Sequence, residues 1–162
     1  VQNNFDIIKS EIDKLCAYTY GREIEKEDID KLIANKSEDD IFDIVEYISN
    51  KKVDRALDLL DDLLFKADQH ILIITTIENH FKRLYEIKIY MSKGKRVDYF
   101  MSKYRLPQFV CEKLMNQANK FSLKQLGQFI RICVDTENKL KSSTGDKSTE
   151  MELMLFKTFL AK

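Results

Sequence analysis

The sequence predicts an all-α protein, a helical bundle preceded by the end of a smaller helical segment, and three observations carry the prediction. Proline occurs once and glycine four times in 162 residues, so the residues that punctuate turn-rich sheet are scarce. The apolar fraction of 44% is interleaved with 33% charge, a composition suited to long amphipathic helices. Apolar residues also recur three and four apart along the whole chain, which lines one face of a helix.

Phe5, Ile8, Ile12 and Leu15 predict a first helix that ends near Tyr20-Gly21, where glycine can take the left-handed conformation. It is under way within four residues of Val1, which suggests a fragment of a longer protein. A short second helix carries Ile29, Leu32 and Ile33. The polar Asn35 to Glu38 interrupts the pattern, and Ser37 with Asp40 has the spacing of a capping box, so a domain boundary is expected there. Ile41, Ile44, Val45 and Ile48 then line one helix, and Val53, Ala56, Leu57, Leu60, Leu63 and Leu64 another, with Asn50-Lys51-Lys52 turning between them. Gln69 to Met91 predicts the longest and most central helix, ended by Gly94. Val97 to Tyr104 gives a short helix, Pro107 suits the first position of the next, and Val110, Leu114 and Ala118 would face inward. Ser122 with Gln125 is a second capping box, opening a helix through Leu123, Leu126, Ile130, Cys133 and Leu140; a ninth helix would bury Met151, Met154, Leu155 and Phe159.

Lys plus Arg equals Asp plus Glu at 27 each, so net charge exerts no long-range pull on nucleic acid or anionic lipid. The charge is nevertheless segregated. Glu23 to Asp62 holds fourteen acidic residues against six basic, and Lys82 to Arg105 holds eight basic against two acidic. Cys16, Cys111 and Cys133 are far apart and odd in number, which fits reduced thiols serving as small core residues. The longest strongly apolar run, Ile71 to Ile77, is far short of the ~20 residues of a membrane span, and a cytoplasmic location with no membrane partner is expected.

Motifs that carry chemistry are missing. Gly94-Lys95 is followed by Arg96 and lacks the earlier glycine of a phosphate-binding loop, which needs it for the backbone to wrap the phosphates. A di-metal bundle site would use Glu-x-x-His, yet Ala67 and Ile77 stand three before His70 and His80. Glu78 and His80, two apart, point to different sides of a helix. No catalytic residue, cofactor or metal is predicted. The basic stretch, with Lys82, Lys93, Lys95 and Arg96 beside Tyr85, Tyr90 and Tyr99, is a candidate patch for phosphate backbone and base stacking, or a solvated surface that meets an acidic neighbour.

In this order the segments resemble the C-terminal portion of the delta subunit of bacterial DNA polymerase III, a component of the sliding-clamp loader. Leu15-Cys16-Ala17-Tyr18 and Arg22 to Ile29 are similar to the end of that family's lid domain. Ile41 to Val45 with Ala56 to Leu60 is similar to the first hairpin of its collar. His80 to Lys88 resembles its Q-F-R-L-L-x-x-K helix, and Glu137 to Lys141 followed by Met151-Glu152-Leu153 resembles its closing pattern. Turns and caps depart from it: Ala67 to His70 stands where Gly and Pro are common, Glu25 replaces a Thr cap, and Asn50 a Gly.

The resemblance implies that residues 1–36 end an AAA+-type lid and that residues 38–162 form the helical collar, which joins neighbours in a pentameric ring. It implies delta-prime and gamma/tau type partners, contact with the sliding clamp through an N-terminal region outside this sequence, and primed DNA met only indirectly. The fragment would be no enzyme, within a holoenzyme that is a DNA-directed DNA polymerase, a nucleotidyltransferase. Arg83 and Lys88, with Glu137 and Lys141, are the candidate subunit-interface residues. The first two would touch a neighbouring subunit or an internal carboxylate such as Glu137. The competing expectation is a stand-alone helical nucleic-acid-binding domain using Lys82 to Arg105.

Overall fold

The computed structural model describes residues 2–66, 70–142 and 145–161. They form eight helices: α1 (Gln2–Thr19), α2 (Lys26–Ser49), α3 (Val53–Lys66), α4 (His70–Ser92), α5 (Val97–Tyr104), α6 (Gln108–Asn119), α7 (Leu123–Ser142) and α8 (Lys147–Leu160). No strand occurs among the described residues, and the all-α prediction holds.

Eight helices replace the nine expected because residues 35–38, read as a break, continue α2 without interruption. The segment is polar but has neither proline nor glycine, and ordinary polar residues cost a helix at most about 0.7 kcal/mol each. Two compact units divide within this helix, as Val1–Asp39 and Asp40–Lys162. The stripes expected at Phe5 and Ile8 and at Ile29, Leu32 and Ile33, and the Ser37 side of the proposed capping box, lie outside the described side chains.

In the first unit α1 ends where predicted, with Tyr20 (φ 51°) and Gly21 (φ 83°) both left-handed. Asp28 is buried and takes a fork from Arg22, Nη1 to Oδ2 at 2.8 Å and Nη2 to Oδ1 at 2.6 Å. Its Oδ2 also accepts from the Glu25 amide at 3.0 Å, the reaching-back half of a capping box at the start of α2. Ile12 is 50% exposed and Cys16 is exposed, so neither is the core residue the spacing suggested.

In the second unit α4 is central and packs on α7, α6, α8 and α3. It buries Ile73, Ile74, Ile77, Phe81, Leu84 and Ile87, while Leu72, within the strongly apolar run from Ile71 to Ile77, is exposed. Phe129 of α7 packs on Phe81 with ring centroids 5.0 Å apart, and Phe121 meets it edge-on at 5.4 Å. Truncating such a buried phenylalanine costs about 3–5 kcal/mol.

Local chemistry sets the ends. The predicted capping box at α7 is formed reciprocally: Gln125 N donates to Ser122 Oγ at 3.1 Å and Ser122 N to Gln125 Oε1 at 2.9 Å. Asp146 caps α8 by accepting from Ser148 N and Thr149 N. Pro107 stands one position before α6 rather than in it, its carbonyl accepting from Val110 and Cys111. Helices α2 and α4 both end in a Schellman turn: Lys52 N donates to Tyr47 O and Lys51 N to Ile48 O, as Lys95 N does to Tyr90 O and Gly94 N to Met91 O. The left-handed position is Gly94 (φ 77°) in one and Lys51 (φ 57°) in the other. Lys51 Nζ donates to Phe159 O at the end of α8, 3.1 Å away.

Candidate functional site

The residues that sequence reasoning grouped fall into four separate settings, distributed by the packing of α4 against its neighbours. Lys82 lies on the side of α4 that meets α7. Its ammonium is 2.5 Å from Glu78 Oε1, one turn back and 7% exposed. Across the helix pair, Glu137 takes Lys141 Nζ at 2.6 Å. The hydrogen bond from Lys141 chiefly, helped by the Lys82 charge, holds the Glu137 carboxyl below the usual range. Two carboxylates and two ammoniums thus lie in one set, the cationic heads half-exposed and the acidic ones closer to the helices.

Arg83, one residue on, is rotated away from this set by the helical step. The internal tie to Glu137 is therefore not formed. Arg83 is half-buried and has no ion pair or hydrogen bond among the described residues, though its charge acts on His80 and Tyr104. Lys88 sits against the end of α6, its Nζ 3.4 Å from Asn119 O and 3.5 Å from Asn119 Oδ1, where a cation complements unsatisfied helix carbonyls.

The basic residues nearer Arg105 form a third setting around two tyrosines. Tyr90 and Tyr99 lie with ring centroids 5.0 Å apart, and the hydroxyl of each is the first influence on the other, lowering the Tyr90 pKa and raising that of Tyr99. Lys93 Nζ is 5.8 Å from the Tyr90 centroid, Lys95 Nζ 5.0 Å from that of Tyr99, and Lys103 Nζ 4.7 Å from that of Tyr90. Lys103 also pairs with Glu86 at 2.8 Å, and Tyr104 donates to Glu86 at 2.7 Å; the Lys103 bond first and the Tyr104 bond second lower the Glu86 pKa. Arg96, exposed ahead of α5, makes no side-chain cap. Within the Lys82 to Arg105 stretch, Lys82 and Lys103 are paired with carboxylates, while Lys93, Lys95 and Lys103 gather at the two tyrosines.

A fourth setting is the buried pair His80 and Gln117, between α4, α6 and α2. Gln117 Nε2 donates to Phe42 O at 3.0 Å, which turns its Oε1 toward His80 Nε2 at 2.6 Å and requires the imidazole proton on that nitrogen. Burial pushes the His80 pKa down to about 4 against the opposing Gln117 bond. Glu46 stands next to this pair, 3.4 Å from Gln117 Nε2, and binds Lys120. The imidazole is a structural donor, neutral at pH 7. Cys133, buried beside Phe129, has its thiol pushed far up by desolvation.

Sequence reasoning missed a second apolar stripe on α8. Met151, Met154, Leu155 and Thr158 are buried, while Leu153 (43% exposed), Phe156 (43%) and Leu160 (77%) face solvent. At 100° per residue the two stripes are nearly opposite, a pattern the spacing 153, 156, 160 already contains.

Among the described residues no group of three or more His, Cys, Asp and Glu side chains is placed to hold a metal ion, and no described helix is long and apolar enough to cross a membrane. Residues 38–158 match the family described as DNA polymerase III delta subunit, C-terminal domain. The chain is 29% identical over 156 residues to the DNA polymerase III subunit delta of Bacillus subtilis strain 168, covering 96% of this chain and 45% of that one. The solved structure of the Bacillus subtilis DNA clamp loader delta protein superposes with a TM-score of 0.72 at 27% identity, over 93% of this chain and 45% of that one. The chain thus spans about half the length of these relatives. With three quarters of its length matched by the family and the helical architecture shared, it belongs to the DNA polymerase III delta subunits, through their C-terminal domain.

Proposed function

We propose that this chain is the C-terminal part of a clamp-loader delta subunit and serves as an assembly platform, holding the loader together while the sliding clamp is placed on primed DNA. The observation that carries the reading is the family match over residues 38–158, joined to agreement in architecture with a clamp loader delta protein. In this reading residues 1–36 end an AAA+-type lid and residues 38–162 are the helical collar. The neighbours are delta-prime and gamma/tau type subunits, the clamp is met through the longer protein's N-terminal region, and DNA is met indirectly. The chain contributes no catalytic group of its own to a replicative DNA polymerase holoenzyme, and it works in the cytoplasm.

Physical features favour a platform over the stand-alone nucleic-acid-binding alternative. Phosphate binding draws on several free cations along one surface, whereas Lys82 and Lys103 are held by Glu78 and Glu86. Arg83 is half-buried without a carboxylate, an arrangement that suits a guanidinium awaiting a partner's acceptor. Arg83→Ala is expected to weaken assembly while leaving the melting temperature within about 2 °C.

The test is co-elution of the full-length subunit with purified delta-prime-type and tau-type subunits, beside a salt-titrated DNA-binding assay. A stoichiometric complex with DNA affinity unchanged by this chain supports the reading. Separate elution, with an affinity for DNA that falls steeply as salt rises, would replace it by the alternative.

A further inference from the structure

We propose that the outward face of α8 and the acidic face of α3 together form a docking surface for a helix of a neighbouring loader subunit, one that presents an apolar ridge flanked on one side by lysines or arginines. The inference rests on the clamp-loader reading and names a surface that reading leaves open. Helix α8 packs on α7, α3 and α4, which accounts for its buried stripe and leaves Leu153, Phe156 and Leu160 uncovered. These are positions i, i+3 and i+7, one ridge about two turns long, and Leu160 is 77% exposed. A helix with apolar residues on opposite sides has one face more than its own bundle uses.

The flank identifies the partner's chemistry. Helix α3 runs antiparallel beside α8: Lys51, just before α3, reaches Phe159 at the end of α8, and His70, just after α3, is 3.3 Å from Ser148 at its start. Opposite its own buried stripe of Ala56, Leu60 and Leu63, α3 exposes Asp54, Asp58 and Asp61, again at i, i+4 and i+7. None of these three carboxylates has an ion pair or hydrogen bond among the described residues. An acidic row without a partner among the described residues, on the helix packed beside the one that carries the uncovered apolar ridge, is complementary to a ridge with cations along one edge, and it repels one with carboxylates there.

The surface is tested in the full-length subunit with Phe156→Glu on the ridge and the double change Asp58→Lys, Asp61→Lys on the flank, measuring affinity for purified delta-prime-type and tau-type subunits at two salt concentrations. Because the altered side chains point outward, melting temperatures should stay at the wild-type value. Phe156→Glu should weaken binding to one of the two partners by about thirtyfold or more, the size of an interface hot spot. The double change should weaken the same partner about tenfold at low salt and flatten the salt dependence. Leu160→Gln, at the most exposed position, replaces Phe156→Glu should that variant melt early, with a several-fold loss expected. Binding within twofold of wild type for both ridge and flank variants overturns the proposal, and so does a flank variant that binds as wild type while the ridge variant does not, since the partner would then carry no basic edge. Self-association of the subunit abolished by Phe156→Glu would make a second copy the occupant and also overturn it. Failure of the unaltered subunit to bind either partner would instead remove the clamp-loader reading, and this surface with it.

Discussion

The two sides of α4 handle polar groups differently. Toward α6, His80 and Gln117 are buried and neutral, held by short hydrogen bonds; toward α7, Glu78 and Glu137 are paired with Lys82 and Lys141, whose ammoniums reach them from water. Desolvation drives a group to its neutral form unless a countercharge is close, and on each side the geometry supplies what that rule demands. The neutral side should therefore carry more stability per group and the ionic side more sensitivity to salt.

The largest effect is expected from Gln117→Ala. Gln117 is fully buried, and its loss leaves a void and a buried imidazole without its acceptor, together about 2–4 kcal/mol, read from urea unfolding at pH 7. An equal loss from Lys141→Ala would erase the distinction between the two sides.

Protonation sharpens the same comparison. The His80 pKa lies at about 4 folded against 6.5 for the free group, through burial. The unfolded chain therefore binds the extra proton between these values, and the native state is favoured fully above pH 6.5 and progressively less as pH falls toward 4. A shift of this size corresponds to about 3 kcal/mol. Urea unfolding between pH 7 and 4 should show that loss, and His80→Gln should remove most of it, leaving the shallower decline of Glu46 and Glu86, whose lowered pKa values place their own loss at and below the ordinary carboxylate range.

Lys141→Ala is expected to cost less than about 0.5 kcal/mol, since the ammonium is 56% exposed and such pairs are screened; added salt should shrink even that. A change of the opposite sign is expected from Lys51→Gly. A non-glycine residue in the left-handed position costs on the order of 1 kcal/mol, and the exposed tie to Phe159 returns part of it, so a gain below about 1 kcal/mol should appear in thermal unfolding.

Much of the fold was legible because its signals are local. Gly94 and the Ser122–Gln125 box act within one helical turn, and both ends stand as read. The polar stretch at residues 35–38 misled because polarity alone does not end a helix. The site was less legible. The Lys82–Glu78 and Lys141–Glu137 pairs lie four apart in sequence, yet bringing Glu78 to Glu137 depends on the register of α4 against α7, which no spacing within either helix encodes. Arg83 and Lys82 are neighbours in sequence and strangers on the helix surface for the same geometric reason. The second stripe of α8 was present in the spacing, but periodicity cannot say which of two apolar faces the bundle takes.

Hydrogen exchange of the full-length subunit, alone and with delta-prime-type and tau-type partners present, tests most directly whether the bundle is finished inside and offers its outside to other subunits. The amides of α8 and of the outward side of α3 should gain protection in the complex while those around His80 and Gln117 stay as they were. No gain anywhere in residues 38–162 on adding the partners would contradict the account.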